Sequence, residues 1–192
     1  MSIILRAPAT PSAPELLLRP WRDDDRDALI AAHQDPVLRS RTRNPLTTAV
    51  EADHWLAQAG QGWQAGDWLT FAVCEPNPHG GHRPVANVVL KNLAPGRPDA
   101  EVGYWTAAAA RGRGVAGRAV DAVSRWAFAR FAELTRLDLM HQVDNPASCR
   151  VAEKAGFEFV EVLPARPPFP RDGHRHVRHA TSAERGAPAI RA

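Results

Sequence analysis

The chain has 192 residues, of which 44% are hydrophobic and 23% are charged. This composition fits one globular domain that can bury a core without disulfides or metals to staple it. The first apolar run is shorter than that of a signal peptide, and no stretch approaches the length of a membrane span. We therefore expect a soluble, cytoplasmic protein with no membrane contact.

The net charge of +3 is concentrated at the end of the chain, where residues 166–192 contain six arginines against two acidic residues. The body of the chain is nearly neutral, so the basic balance is weak evidence for a nucleic-acid partner. The two cysteines, Cys74 and Cys149, lie far apart and have neither disulfide-framework nor metal-site spacing. We expect both to be reduced thiols, and we expect no bound metal.

The N-terminal part of the chain is predicted to begin with a leader. Residues 1–14 contain three prolines and little apolar periodicity, so we expect a flexible segment outside the core. Further along, Thr48 and Glu51 have the spacing of a capping box, which marks the start of a helix. In chain order the sequence predicts a strand over 15–19, a helix over 23–34 that Asp35-Pro36 stops, and a helix over 48–63.

The middle of the chain is typical of an antiparallel hairpin followed by a further strand and a long helix. Two apolar runs, 68–75 and 84–93, flank a turn rich in proline and glycine. A third strand is predicted over 99–106, and a helix over 114–133. The apolar positions of this helix fall on one stripe at helical spacing: Val115, Ala119, Val123, Trp126 and Ala127.

Strands and helices alternate in the C-terminal part, which predicts a mixed α/β sheet with helices on its faces. Its elements are a strand over 136–143, a helix over 146–155 closed by Gly156, a strand over 157–163 and a last strand around 174–180. We expect one domain over 15–180 and a disordered tail over 181–192.

The most informative segment for function is 111–116, Arg-Gly-Arg-Gly-Val-Ala, which opens the long helix just after a strand. Its two glycines allow a tight turn and close approach to a ligand. The unpaired amides of the first helical turn, at the positive end of the helix dipole, suit a pyrophosphate. Taken alone, an ordinary Arg/Gly turn explains these residues equally well, because short glycine motifs are common.

The flanking residues favour the functional interpretation. Residues 111–116 match the pattern (Arg/Gln)-x-x-Gly-x-(Gly/Ala), which is the acetyl-CoA motif of the GCN5-related (GNAT) acyltransferases. Residues 100–105, Ala-Glu-Val-Gly-Tyr-Trp, resemble the strand before that motif, and 144–157 resembles the Asn-x-x-Ser…Glu-Lys-x-Gly-Phe segment after it. The chain from 16 to about 162 therefore resembles the GNAT superfamily, in the branch that acetylates the N-termini of ribosomal proteins.

This resemblance implies a single GNAT-like domain with a mostly antiparallel sheet of six to seven strands, splayed at the acyl-CoA site and flanked by about four helices. Acetyl-CoA or another acyl-CoA would be the co-substrate. The backbone of 102–105 and 115 would pair with its pantetheine arm, and amides of 113, 114 and 116 would hold its pyrophosphate. The residues implied in acyl-CoA binding are Val102, Gly103, Tyr104, Trp105, Arg111, Gly112, Arg113, Gly114, Val115, Ala116, Asn145 and Ser148.

Acyl transfer to an amine needs an uncharged nucleophile and a proton for the departing sulfur. Glu101 is the best candidate for the base, although a solvated or salt-bridged strand acid is about as common an explanation. By analogy with the family, Ser148 would protonate the leaving thiolate. A plain serine in the first turn of a helix is the simpler interpretation of its spacing.

Three further side chains have weaker claims to catalysis. His141 is a second candidate base, although a histidine at a strand end more often packs or faces solvent. Cys149 has no visible histidine or acid partner, so we interpret it as structural. We interpret Tyr104 and Trp105 as parts of the core and cleft wall.

The leading function is therefore acyl-CoA-dependent N-acyl transfer to a primary amine of a protein N-terminus or a small molecule. One alternative is aminoacyl transfer from a charged tRNA on the same fold, served by the basic tail; an intact acetyl-CoA motif argues against it. Another is a non-catalytic CoA-binding module. A homodimer is common among similar proteins. The sequence contains no pattern that identifies the acceptor.

Overall fold

The computed structural model describes residues 3–42, 44–167 and 170–186. Within these residues the chain forms one mixed sheet with helices on both faces. The strands are β1 Leu5–Ala7, β2 Leu16–Pro20, β3 Leu69–Pro76, β4 His82–Lys91, β5 Asp99–Thr106, β6 Arg136–Gln142, β7 Glu158–Leu163 and β8 Gly173–His179. The helices are α1 Arg26–His33, α2 Pro36–Arg41, α3 Ala49–Ala65, α4 Val115–Arg130, α5 Pro146–Lys154 and α6 Ser182–Gly186.

The strands are ordered β1-β2-β3-β4-β5-β6-β8-β7 across the sheet. All neighbouring pairs are antiparallel except β5 and β6, which are parallel. The predicted fold class is therefore confirmed. The described residues contain eight strands and six α-helices rather than six to seven strands and about four helices.

Two apolar clusters cover the two faces of the sheet. On one face, the predicted stripe of α4 is buried, with Ala119, Val123 and Ala127 all at 0% exposure. On the other face, Leu29 of α1 and Leu56 of α3 pack around Trp21. None of the helices in the described residues is long and apolar enough to cross a membrane.

The predicted capping box starts α3. The hydroxyl of Thr48 accepts from the amide of Glu51 at 3.2 Å, and the Glu51 carboxylate accepts from the amide of Thr48 at 2.9 Å. Each residue thus satisfies an amide that helix geometry leaves unpaired. The helix ends on Gly66, which has a left-handed φ of 78°.

The prediction that residues 1–14 lie outside the core is wrong, because they contain β1. Leu5 and Ala7 are 4% and 2% exposed, and β1 pairs with β2 at the edge of the sheet. The guanidinium of Arg118 on α4 fixes this segment by donating to the carbonyl oxygens of Ala7, Pro8 and Pro14 at 3.2, 2.5 and 2.8 Å.

Two short helices also differ from expectation. Pro36 begins α2 rather than only ending the preceding helix, since Asp35 caps it by accepting from the amides of Val37 and Leu38. Proline suits this first helical position because its missing N–H has no intrahelical partner there. The expected disordered tail contains α6, where Glu184 binds Arg178 at 2.5 Å. Its remaining residues, 187–192, lie outside the described residues.

Candidate active site at the split between two strands

The candidate site begins where β5 and β6 part. The two strands pair only from Asp99↔Arg136 to Glu101↔Asp138, although β5 continues to Thr106. Over 102–106, β5 pairs with β4 along one edge, and among the described residues no strand pairs with its other edge. Such an edge presents free backbone donors and acceptors to an extended ligand.

The loop after β5 leads from this open edge into the first turn of α4. Gly112 and Gly114 have φ values of 73° and 74°, in the left-handed region that side chains with a Cβ rarely adopt. Gly114 is the N-cap of α4 and supplies no side chain to the first-turn amides. Val115 is buried at 1% exposure, while Ala116 is half-buried. The first turn of α4 is therefore suited to an anionic group.

The arginines of this loop already have acidic partners. Arg111 forms an ion pair with Asp35 and donates to the carbonyl of Thr106 at 3.2 Å. Arg113 binds the carboxylate of Glu75, whose side chain is only 4% exposed, at 2.7 Å. The arginine charges are thus largely balanced within the protein, and the backbone amides remain as the main donors for an anion.

Tyr104 and Ser148 form a hydrogen-bonded hydroxyl pair across the split. The two oxygens are 2.8 Å apart, and Ser148 is 6% exposed. Burial raises the pKa of Tyr104 because it disfavours the phenolate, and the hydrogen bond with Ser148 partly opposes this effect. The phenol therefore remains protonated at neutral pH. Our interpretation of Tyr104 as only a wall residue missed this hydroxyl contact.

Asn145 holds the start of α5, which carries Ser148. Its side-chain oxygen accepts from the amide of Ser148 at 3.3 Å, and its carbonyl accepts from the same amide at 3.0 Å. Asn145 is therefore an N-cap in this structure. Its NH₂ group takes no part in this cap and could donate to a ligand.

Glu101 lies at the point where the β5–β6 pairing ends. Its carboxylate binds the ammonium of Lys91 at 2.5 Å, and the two residues are direct partners on β4 and β5. The side chain of Glu101 is 19% exposed. Because side chains alternate along a strand, Glu101 and Tyr104 lie on opposite faces of β5.

The remaining predicted residues of β5 have mainly packing contacts. Val102 is 1% exposed in the core. A Cβ at Gly103 would meet a methyl group of Val89 at 3.3 Å, which explains the small residue there. Trp105 packs against Trp21 and His33, with ring centroids 5.9 and 5.5 Å apart.

A group of side chains around Cys149 was not predicted from the sequence. The structure brings His141 and His174 to the thiol, with S···N distances of 3.6 and 3.4 Å. His176 lies beside His141, with 3.2 Å between their Nε2 atoms. The sequence does place His174 and His176 on the same face of a predicted strand. It does not indicate which side chains from other elements lie opposite that face.

The chain is similar to known proteins in sequence and in fold. Residues 15–158 match the acetyltransferase (GNAT) domain family. The fold is similar to RimL, a ribosomal L7/L12 alpha-N-protein acetyltransferase in complex with coenzyme A; the TM-score is 0.77, with 18% identity over 91% of this chain and 97% of that chain.

Two other solved structures are similar to the same extent. RimJ from Mycobacterium smegmatis, in complex with CoA-disulfide, has a TM-score of 0.75 and 20% identity over 98% of this chain and 90% of that chain. MccE, a microcin C7 self immunity acetyltransferase in complex with acetyl-CoA and AMP, has a TM-score of 0.75 and 17% identity over 89% and 98%. At such low identities, the TM-scores show a shared fold and nothing more. No curated protein sequence matches the chain. Since the family match spans well over half of the residues, the chain belongs to the GNAT family of acetyltransferases.

Proposed function

We propose that this GNAT acetyltransferase transfers an acetyl group from acetyl-CoA to a primary amine, either the N-terminal amine of a protein or a small-molecule amine. The open edge of β5 over 102–106, next to the first turn of α4, carries the proposal. An extended pantetheine arm fits such an edge, because its amides can replace a neighbouring strand. The activity would belong to the cytoplasm.

In this proposal, the binding roles are divided between β5 and the loop that precedes α4. The backbone of 102–105 and the amide of Val115 pair with the pantetheine arm, and the amides of Arg113, Gly114 and Ala116 bind the pyrophosphate. Arg111 and Gly112 shape the turn rather than bind directly, since Arg111 is engaged with Asp35. Asn145 positions Ser148 and presents its NH₂ group to the acyl region.

The chemistry runs through the split from one face of β5 to the other. Glu101 accepts a proton from the attacking amine, directly or through water, and Lys91 balances the carboxylate charge. The amine nitrogen bonds to the thioester carbon, and the amide of Val102 donates to the developing oxyanion. The C–S bond then breaks as the hydroxyl of Ser148 gives its proton to the CoA thiolate. Tyr104 returns a proton to Ser148, water returns one to Tyr104, and Glu101 releases its proton to solvent.

Calorimetric titration with acetyl-CoA tests the binding site. We expect wild-type protein to bind and Gly114→Glu to lose binding, because a carboxylate would enter the anion cradle. Gly114→Ala introduces a Cβ at a positive φ without adding a charge, so it separates the two effects. It should bind acetyl-CoA more weakly than wild type but more tightly than Gly114→Glu. Gly66→Glu is the matched control, because Gly66 has a similar φ of 78° and a Cβ there would meet no atom within 4 Å. Unchanged affinity of Gly114→Glu would refute the assignment.

A second measurement addresses the acceptor. Release of CoA thiol is followed with peptides carrying free N-termini, the same peptides with blocked N-termini, and small amines. A signal that needs the free N-terminus supports the protein acceptor, and one seen only with small amines supports the other class. No turnover with either class would argue against amine acetylation.

The tail offers less charge to RNA than its composition suggests. Arg175 binds Asp138 and Glu161, and Arg178 binds Asp121 and Glu184. These pairs fix β8 within the sheet. A parallel titration with deacylated tRNA at moderate salt should therefore show no salt-resistant binding.

A further inference from the structure

Four side chains with metal-binding groups converge where α5 packs on β6 and β8. One ligand atom from each side chain lies within 4.8 Å of all the others. His141 is at the end of β6, His174 and His176 alternate along β8, and Cys149 is on α5. This group belongs to three different elements, and the acetyl-transfer chemistry described above uses none of its members.

Three of the distances between these side chains fit a tetrahedral metal site. Bonds of about 2.0–2.1 Å to nitrogen and about 2.3 Å to sulfur place neighbouring nitrogens about 3.4 Å apart, and sulfur about 3.5 Å from each nitrogen. The Cys149 sulfur lies 3.6 Å from Nε2 of His141 and 3.4 Å from Nδ1 of His174. The Nε2 atoms of His141 and His176 are 3.2 Å apart.

The orientation of the rings also fits metal binding. Nδ1 of His141 lies 2.9 Å from the carbonyl of Gln142. It must donate to that oxygen, so Nε2 carries the lone pair that faces the cluster, as in histidine ligands held by a backbone carbonyl.

His176 is the most buried member of this group. It is 1% exposed, no hydrogen-bond partner for its Nδ1 is found among the described residues, and its Nε2 lies 3.2 Å from the Nε2 of His141. Two nitrogen lone pairs facing each other would repel unless a proton or a cation lies between them. A bound cation relieves this contact and compensates for burying a polar ring.

We propose that Cys149, His141, His174 and His176 bind one zinc ion as a structural site. A thiolate with imidazoles is a donor set that zinc prefers, whereas calcium and magnesium require oxygen ligands. Four protein ligands close the coordination sphere, as in structural zinc sites. The ion ties the first turn of α5 to β6 and β8. It therefore fixes Ser148, the residue before Cys149, and takes no part in acetyl transfer.

A reactive cysteine explains the geometry less completely. A nucleophilic thiol needs one base and a group that orients it. Here three imidazoles converge with the thiol, with one ligand atom of each residue within 4.8 Å of the others, and the most buried, His176, would have no role beside a single base. The converging donors therefore favour metal binding, and they revise the expectation that the chain holds no metal.

Metal analysis of untagged protein tests the proposal. We expect about one zinc per chain, removal by a chelator with a fall in Tm, and recovery of both on adding one equivalent of zinc. Cobalt(II) added to the metal-free protein should give the intense visible bands of a tetrahedral ion and a thiolate charge-transfer band. Metal-free wild-type protein that shows neither a zinc-dependent Tm rise nor these bands would overturn the proposal.

Variants identify the ligands. Cys149→Ser should lose the charge-transfer band, and His174→Ala should weaken zinc binding by more than the roughly 10–100-fold typical of outer-shell changes. His174 is only half-buried, so its variant keeps the test valid if Cys149→Ser fails to fold. Cys74→Ala and His79→Ala are the matched controls, because both residues lie outside the cluster. Full zinc affinity in His174→Ala, or loss of zinc in the controls, would contradict the ligand set.

Discussion

At the residue scale, the candidate site combines groups whose roles are visible in the sequence with contacts that only the fold creates. The motif at 111–116 gave the backbone conformation correctly, since both of its glycines have positive φ. It did not show that Arg111 and Arg113 would be paired with Asp35 and Glu75. Those acids lie far away in the chain, so no local pattern connects them to the loop.

Removal of the Ser148 hydroxyl should slow acetyl transfer without preventing acetyl-CoA binding. We expect Ser148→Ala to lower kcat roughly 10²-fold, the lower end for loss of a general acid. Tyr104→Phe should give a smaller loss, because Ser148 remains. Steady-state kinetics and calorimetry with acetyl-CoA measure the two effects. Ser124→Ala is the control, since that buried hydroxyl bonds only to the Val120 carbonyl of its own helix at 2.8 Å. Equal kcat values for Ser148→Ala and the control would exclude the acid role.

Glu101 is the residue for which the two interpretations differ most. If Glu101 is the base, Glu101→Gln should reduce kcat by roughly 10²–10⁴-fold and preserve the affinity for acetyl-CoA. If Glu101 serves only as the salt-bridge partner of Lys91, the same substitution should leave kcat intact and change only the stability of the protein. Lys91→Gln removes the same ion pair and keeps the carboxylate. A kcat for Glu101→Gln no lower than that of Lys91→Gln would identify Glu101 as structural.

At the element scale, length and periodicity decide what the sequence can predict. The stripe of α4 and the capping box of α3 are strong local signals, and both are present in the structure. The missed elements β1, α2 and α6 have only three, six and five residues. Periodicity is weak over such lengths, and each is stabilised by partners from elsewhere. The cluster around Cys149 was missed for the same reason, since its members come from β6, α5 and β8.

The attachment of β1 depends on Arg118. Its guanidinium donates to three carbonyls of the N-terminal segment, so Arg118→Met should reduce the free energy of unfolding by about 1–3 kcal/mol. In this variant, exchange of the backbone amide hydrogens of residues 5–7 should accelerate more than exchange of those in β3. Arg125→Met is the control on the same helix, because its ion pair with Asp121 is largely exposed and should be worth less than about 0.5 kcal/mol. Equal stability losses in the two variants would show that Arg118 does not anchor β1.

At the scale of the whole molecule, the sheet consists of two halves. β1 to β5 and their helices form one half, and β6 to β8 with α5 form the other, joined at the short parallel pairing of β5 and β6. The proposed acetyl-CoA site occupies the divergence between these halves, and the proposed zinc site rigidifies the second half. Local sequence patterns predicted most of the strands and helices within each half. The gap between the halves depends on where the pairing of β5 with β6 stops, and no single segment of the sequence specifies that point.

The interface between α1 and the sheet should make the protein sensitive to mild acid. His33 is 2% exposed against Trp105, and burial lowers its pKa below the ordinary value of 6.5. Below pH 6.5 the unfolded chain therefore binds a proton that the folded chain does not. Stability contributed by the neutral ring is present at neutral pH, and is lost as the pH falls from 6.5 towards the folded pKa.

Urea unfolding of wild type and His33→Phe between pH 7.5 and 5 measures this contribution. The variant keeps an aromatic ring beside Trp105 but cannot bind a proton, so its free energy of unfolding should fall less steeply with acid. His54→Phe is the control, because His54 is exposed on α3, and should follow the wild-type slope. Identical slopes for wild type and His33→Phe would show that this ring accepts a proton without unfolding the α1 interface.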